Sequence, residues 1–304
     1  MKRKFRKFVH WLLVFGILFA IAAAFQQPAN SSSNGSATTS TSQSTSQVTS
    51  KLTAALQEAW SSWRTGRSYS SSSSSSTMKA PSQKLASSVL TTNVRNQLGG
   101  SLTWNGAGAY IVNNNKTKIK ANISSAPYAT NKLDSQGRAW RGDAWLNKTT
   151  RQYKSRESTG NGASEWKPAG FLQATGLTNG PSHAYDRGHL LGYALVGGLS
   201  SFDASESNYK NIATQTAWAN EARSSTSTGQ NYYEGLVRQA LDQNKQVRYR
   251  VTDIYDGNNK VPAGAHIEAK SKDGSLQFNV FVPNVQRNIT INYATGAVTK
   301  TSSN

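Results

Sequence analysis

Residues 183–194 read HAYDRGHLLGYA and carry a polar block, Asp186-Arg187-Gly188-His189, between aromatic and aliphatic neighbours. If this stretch is a strand, the alternation of side chains places Tyr185, Arg187 and His189 on one face and Asp186 on the other. Gly188 has no side chain, so another backbone can approach closely at this point. An arginine can bind phosphate through two hydrogen bonds, and a histidine can accept a proton from water near neutral pH. Both groups suit the hydrolysis of phosphodiesters.

The same block has a purely structural interpretation. A partly buried His189 would then bond to backbone, and Arg187 would pair with a nearby acid. A zinc site built from His183 and His189 is excluded, because six residues along a strand separate them by roughly 20 Å, at about 3.3 Å per residue. These four residues alone do not distinguish a catalytic role from a structural one. The residues downstream of the block are needed for that distinction.

Amide and carboxylate side chains are frequent downstream, in SNYKNIATQTAWANEARSS and in the next helical segment. Mg²⁺ prefers oxygen ligands and keeps most of its waters, so one Asn oxygen and a Glu acting through water would be enough. Asn in turns and Glu on solvated helix faces are the commoner explanation. The order of these residues after the block favours a metal site. The candidates are Asn208, Asn211, Gln215, Asn220 and Glu234.

The chain is strongly basic, with a formal net charge of +19 over 304 residues. Residues 1–80 hold nine Lys or Arg and one acid, so 25 and 14 remain in residues 81–304, a net charge of +11 for that part. Such a charge attracts polyanions, among them nucleic acid, anionic lipid and wall polymers. The absence of Cys excludes a disulfide framework, a thiol nucleophile and a zinc knuckle.

The N-terminus predicts export. MKRKFRKF is followed by the uncharged run WLLVFGILFAIAAAF, which ends at residue 25. The run is short for a membrane span and suits the core of a signal peptide, but an uncleaved anchor that holds the chain on the membrane is also consistent with it. Either way we expect the protein to be secreted or to lie on the outer face of the cell membrane.

Residues 26–85 predict a Ser/Thr-rich tether, with a folded domain over 86–304. Inside the tether, KLTAALQEAWSSWRTGR has the spacing of a short amphipathic helix at 51–67, lying on a membrane or docked on the domain. In the domain, SLTWNG, GAYIVNN, TKIKANI, NIATQT and QVRYRVTDIYD predict strands, and Asp273-Gly274 predicts a hairpin between HIEAKS and LQFNVFVPN. NYYEGLVRQALDQN predicts a helix that leaves Glu234 off its apolar stripe.

DRGHL, then a loop, N-I-x-x-Q, AWAN and a Glu-bearing helix closely resemble the DNA/RNA non-specific endonuclease family of ββα-metal nucleases. The similarity is greater still to the DNA-entry nucleases of Gram-positive bacteria, through DRGHLLGYALVGGLSSFDAS, SNYKNIATQTAWANEA and STGQNYYEGLVRQALDQNKQVRYRV. It covers roughly residues 86–304. It implies an α+β fold in which helices and loops flank a central antiparallel sheet.

Carried over by position, the resemblance makes His189 the general base, Asn220 the metal ligand and Glu234 the acid that holds metal-bound water. Asp186 and Arg187 occupy the other positions of the block, and Arg187 would stabilise the phosphate. Asn211 matches an amide position near the base. YKSRESTGNG resembles a basic, substrate-facing segment, which makes Arg156 a candidate for phosphate contact, although Glu157 beside it departs from that pattern.

The resemblance implies a sequence-non-specific endonuclease that cleaves DNA and leaves 5′-phosphate ends, with RNA as an open second substrate. The cofactor would be Mg²⁺, with Mn²⁺ as a substitute. Two alternatives stay open. One is a non-catalytic surface DNA receptor that uses its basic charge and exposed Trp140, Trp145 and Trp166. The other is a metal-dependent phosphodiesterase for small or lipid substrates.

Overall fold

The structure is a computed structural model that describes residues 78–162 and 164–301 of the chain. The predicted signal or anchor at 1–25 and the predicted helix at 51–67 lie outside these residues. In chain order the elements are α1 (Gln83–Ser87), α2 (Thr92–Leu98), β1 (Leu102–Trp104), β2 (Tyr110–Val112), β3 (Tyr128–Leu133), β4 (Ala139–Leu146), β5 (Tyr185–His189), α3 (Tyr193–Val196), β6 (Ile212–Thr216), α4 (Ala217–Glu221), β7 (Arg223–Ser224), β8 (Ser227–Thr228), α5 (Gln230–Asp242), β9 (Val247–Ile254), β10 (Gly264–Ser271), β11 (Gln277–Pro283), β12 (Ile289–Ile291) and β13 (Val298–Lys300).

A seven-stranded antiparallel sheet is the central layer, in the order β1-β2-β11-β10-β9-β4-β3. In β9 the alternating Val247, Tyr249 and Val251 are fully buried in the core. Arg250 belongs to the alternate set and pairs with Asp143 of β4 at 2.6 Å. The period-two pattern of the sequence thus sorts apolar and charged side chains to opposite faces of the sheet.

The predicted hairpin between β10 and β11 is confirmed, and its turn contains Asp273 and Gly274. Gly274 adopts a φ of 74°, which favours glycine. The Asp273 carboxylate accepts hydrogen bonds from Ser271 and Ser275. Ser271 N–H bonds to the carbonyl of Leu276, so the turn spans residues 272–275 rather than two residues.

The strand predicted for TKIKANI is wrong, because residues 117–123 form no strand. The segment does alternate, with Thr117, Ile119 and Ala121 buried and Lys118 and Lys120 exposed. Side-chain hydrogen bonds, rather than the backbone pairing of a strand, hold the segment on the sheet. Asn279 Nδ2 donates to the carbonyl of the preceding residue, Lys116, and Thr117 Oγ1 donates to Glu268 at 2.5 Å. Alternation alone therefore does not distinguish a paired strand from an extended segment that lies on a sheet.

Helix α5 covers the inner face of the sheet against β9 and β10, as its predicted amphipathic pattern requires. Its fully buried residues include Val237 and Leu241. The predicted α+β fold, with helices and loops flanking a central antiparallel sheet, is confirmed. No helix among residues 78–162 and 164–301 has the length and apolar character needed to cross a membrane.

Residues ahead of the predicted domain start at 86 also contact the core. Pro81 is buried, and Ser227 Oγ donates to the carbonyl of Met78. Ser82 caps α1 by accepting from the N–H of Leu85. The folded part of the chain therefore includes residues 78–85.

Strands β5 and β6 form a separate two-stranded antiparallel sheet, with Tyr185 opposite Thr216 and His189 opposite Ile212. Three buried carboxamides after β11 hold β6, the start of α4 and the segment ahead of β5 through backbone groups. Asn284 accepts from the N–H of Thr216 at 2.7 Å, and Gln286 accepts from the N–H of Trp218 at 3.1 Å. Asn288 donates to the carbonyls of Thr178 and Pro181.

Candidate active site

His189 ends β5, and its imidazole contacts the guanidinium of Arg156. Arg156 Nη1 lies 2.6 Å from His189 Nε2. A guanidinium only donates hydrogen bonds, so Nε2 must be the acceptor, and a neutral ring then carries its proton on Nδ1. Arg156 also stacks on Tyr193, with 4.9 Å to the ring centroid, and lies 3.8 Å from a carboxylate oxygen of Glu206.

This environment keeps His189 unprotonated. Burial, followed by the positive charge of Arg156, lowers the pKa of His189 to about 3 from its usual 6.5. Arg156 is itself largely surrounded by protein, and burial lowers the pKa of its guanidinium. A neutral imidazole at physiological pH is the state that a general base requires.

Gly188 allows a close approach of the Gln215 side chain, whereas the sequence predicted the approach of another backbone segment. A Cβ at Gly188 would lie 2.3 Å from Gln215 Oε1 and 2.4 Å from Gln215 Cβ. Gln215 donates to Gln230 Oε1 at 3.1 Å, and Gln230 donates in turn to the carbonyl of His189. The glycine thus admits a glutamine pair that supports the strand behind the histidine.

Arg187 lies on β5 two residues before His189, as alternation predicts. Its guanidinium is held by residues other than His189. Its Nε donates to the carbonyl of Trp166 at 2.7 Å, and its guanidinium lies 5.4 Å from the centroid of the Phe171 ring. The guanidinium that contacts the imidazole is that of Arg156, for which the sequence predicted only a phosphate contact.

Asp186 joins the predicted metal ligand to a second histidine. Asn220 Nδ2 donates to Asp186 Oδ2 at 2.9 Å, and His183 Nε2 lies 2.7 Å from Asp186 Oδ1. Thr216 caps α4 by accepting from the N–H of Ala219, and this helix carries Asn220. Because the amide nitrogen of Asn220 faces Asp186, its carbonyl oxygen faces away from that carboxylate, and such an oxygen suits a hard dication such as Mg²⁺.

Glu234 is buried, although the sequence pattern placed it off the apolar stripe of α5. Its Oε1 accepts from Gln230 at 3.2 Å, and its Oε2 lies 3.3 Å from Arg238 Nη1. Burial raises the pKa of Glu234, while Arg238 and the bond from Gln230 oppose that rise. A Cβ at Gly192 would lie 2.5 Å from Glu234 Oε2, so only glycine leaves room for this carboxylate.

Asn211 is fully buried, so its amide cannot contact a substrate directly. Its Oδ1 accepts from the N–H of Leu191, and its Nδ2 donates to the carbonyl of Leu191, both at 3.0 Å. Asn211 therefore fixes the backbone just after His189. Any influence on the chemistry would act through the position of the histidine.

The aromatic surface assumed for a DNA receptor is smaller than predicted. Trp145 has no exposed surface, because it lies fully within the protein, and Trp140 and Trp166 are only partly exposed. Among residues 78–162 and 164–301, the exposed large apolar side chains are Tyr153, Leu172 and Tyr209.

His183 and Glu221 are neighbours of the site that the sequence patterns did not predict. His183 Nε2 lies 3.8 Å from Glu221 Oε1. The hydrogen bond to Asp186 raises the pKa of His183, and burial followed by the charge of Asp186 raises that of Glu221. The available signal was the position of Glu221 directly after Asn220.

The chain is similar to known proteins in sequence and in fold. The family model for DNA/RNA non-specific endonucleases matches residues 105–300. The crystal structure of NucA from Streptococcus agalactiae with magnesium ion bound is 43% identical, with a TM-score of 0.66, over 69% of this chain and 95% of that one. The NucA structure with no metal bound is 40% identical, with a TM-score of 0.64, over 71% and 100%. The predicted family is thus confirmed: the chain belongs to the DNA/RNA non-specific endonucleases.

Proposed function

We propose that this nuclease is a secreted or cell-surface endonuclease that requires Mg²⁺, or Mn²⁺ in its place, and hydrolyses DNA without sequence preference. The observation that carries the proposal is the neutral His189 held beside Arg156 at the end of β5. RNA is a second candidate substrate, because its phosphodiester linkage offers the same reacting atoms.

Arg156 would act as an exchangeable partner of the base. In the free protein its N–H occupies His189 Nε2, so the ring cannot accept a proton there. A phosphate brought to the site is a stronger acceptor for a guanidinium than a neutral imidazole is. We expect Arg156 to move onto the phosphate as substrate binds, which frees His189 to take the proton of the attacking water.

Attack of that water on phosphorus would break the bond to the 3′ oxygen and leave 5′-phosphate and 3′-hydroxyl ends. Arg156 and Arg187 would stabilise the negative charge that builds up on the phosphate. Asn220 would hold Mg²⁺ through its carbonyl oxygen while Asp186 fixes the amide. Mg²⁺ bound there would supply further stabilisation of negative charge. Glu234 would order a water near the leaving 3′ oxygen, and that water would supply the proton that completes the 3′-hydroxyl.

Three observations support the choice of cofactor, substrate and location. The related NucA crystal structure has a magnesium ion bound. The net charge of +11 over residues 81–304 favours contact with the phosphate backbone, which carries no base information. The basic and then apolar start of the chain supports export.

The test is cleavage of supercoiled plasmid by the full chain with Mg²⁺, with Mn²⁺ and with EDTA, over a series of salt concentrations. We expect nicked, linear and then short products with either metal, none with EDTA, and a rate that falls steeply as salt rises. Product ends should accept label from a polynucleotide kinase only after phosphatase treatment, because they carry 5′-phosphate.

Other outcomes would support the alternatives. Salt-sensitive retention of DNA with no cleavage under any metal would support the receptor. Hydrolysis of a small model diester without plasmid cleavage would support the phosphodiesterase. Cleavage that persists in EDTA would contradict the metal requirement.

Replacement of Arg156 should change the pH dependence of the reaction. In Arg156→Gln the pKa of His189 should rise toward 6.5, because one of its two depressing causes is removed while burial remains. The base is lost below its pKa, so the acid limb of kcat/KM should move to higher pH. The profile is measured from about pH 2.5 to about pH 8, a range that covers both the wild-type pKa of about 3 and the usual value of 6.5. An unchanged acid limb would contradict the contact between Arg156 and the base.

A further inference from the structure

Three potential metal ligands converge beside β5. His183 lies just before the strand, Asp186 within it, and Glu221 at the end of α4. One ligand atom from each lies within 4.8 Å of the other two, and among residues 78–162 and 164–301 this is the one group of three His, Cys, Asp or Glu that does so. His183 Nε2 is 2.7 Å from Asp186 Oδ1 and 3.8 Å from Glu221 Oε1.

These separations lie close to those of a metal site. With metal–ligand distances of about 2.0–2.2 Å, tetrahedral ligands are about 3.3–3.6 Å apart. The pair at 2.7 Å must open slightly and the pair at 3.8 Å must close slightly. Both changes are within the reach of side-chain rotation.

The site is open to solvent and has the right charge. The side chains of His183, Asp186 and Glu221 are 29%, 19% and 41% exposed, so an ion can enter and water can fill a fourth position. A dication that displaces the protons of His183 and Glu221 would meet two carboxylates and a neutral imidazole, which compensate its charge. The nearby Arg223 lowers the pKa of Glu221, which favours its charged form. The imidazole nitrogen favours Zn²⁺ and similar transition metals over Mg²⁺, which prefers oxygen ligands alone.

We propose that His183, Asp186 and Glu221 form a binding site for a transition-metal dication of the Zn²⁺ type, separate from the proposed Mg²⁺ position on Asn220. This inference does not rest on the nuclease function. The two positions share Asp186, whose second oxygen accepts from Asn220. Zn²⁺ at the new site would replace the contact between His183 and Asp186 with two metal bonds.

The test is metal binding by the full chain, purified without a histidine tag and without nucleic acid. Equilibrium dialysis with Zn²⁺ should give one ion per chain that excess Mg²⁺ does not displace. With Co²⁺ as a spectroscopic probe, tetrahedral binding should give intense visible absorption. His183→Gln and Glu221→Gln should each weaken Zn²⁺ affinity by at least about 100-fold, since loss of even an outer-shell partner costs about 10- to 100-fold.

Two controls locate the ion. His266→Gln removes another partly exposed histidine, bonded to Asn279 at 2.6 Å and outside the cluster, and should leave Zn²⁺ binding intact. Asn220→Ala removes the proposed Mg²⁺ ligand and should also retain Zn²⁺. Circular dichroism checks that each variant is folded. Absence of stoichiometric Zn²⁺ binding, binding unaffected by both Gln variants, or binding lost only in Asn220→Ala would overturn the proposal.

Discussion

His189→Ala is expected to reduce the rate of plasmid cleavage by at least about 10²- to 10⁴-fold, the usual contribution of a general base. The substitution removes the one imidazole that contacts Arg156, and the adjacent Gly188 and Leu190 carry no group that could replace it. Because Arg156 and Arg187 remain, binding to DNA should survive.

The measurement pairs single-turnover cleavage with DNA retention on a filter at low salt. His266→Ala is the matched control, because His266 is a partly exposed histidine on β10, bonded to Asn279. It should cleave at nearly the wild-type rate. A cleavage rate of His189→Ala within a few-fold of the wild-type rate would indicate that residues 186–189 have a structural role instead.

Asn220→Ala is expected to reduce the rate of plasmid cleavage by a similar factor, because it weakens metal binding rather than removing the general base. The carbonyl oxygen of Asn220 is the proposed protein ligand, and Mg²⁺ takes few such ligands, so the loss of one should matter greatly. A titration of cleavage rate against Mg²⁺ should show half-maximal activity at a much higher concentration, or no activity at all.

Asn220→Asp separates metal binding from positioning. A carboxylate keeps a hard oxygen ligand, but it replaces the N–H that donates to Asp186 at 2.9 Å with a second negative charge. Repulsion between the two carboxylates should displace the side chain unless a dication lies between them. We expect Mg²⁺ binding to persist with a lowered maximal rate. Equal titration curves for the Asp, Ala and wild-type chains would remove Asn220 from the metal site.

The spacing of apolar residues along the sequence predicted the helices and strands that are determined by residues close together in the chain. Helix α5 follows from the spacing of Val237 and Leu241, and the β10–β11 hairpin follows from Asp273-Gly274 between two alternating runs. The segment at 117–123 has the same alternation, but hydrogen bonds of Thr117 and of the preceding Lys116 with side chains of β10 and β11, not strand pairing, hold it on the sheet.

Contacts between distant parts of the chain were not predictable from these patterns. Arg156 reaches His189 from 33 positions away, and sequence spacing does not encode such an approach. Glu234 is off the apolar stripe of its helix and is nevertheless buried, because Gly192 of another segment leaves a space for it. His183 and Glu221 meet only because β5 and α4 are adjacent in the fold.

The carboxamides of Asn284, Gln286 and Asn288 have a consequence for where the enzyme can work. These side chains hold β6, the start of α4 and the segment ahead of β5. They carry no charge, so they neither titrate nor attract counterions. Low pH and high salt would then change substrate binding and the protonation of the reacting groups. The hydrogen bonds of these carboxamides would stay unchanged. A protein exposed to surroundings that the cell does not buffer can in this way lose activity in high salt and regain it on dilution, without refolding.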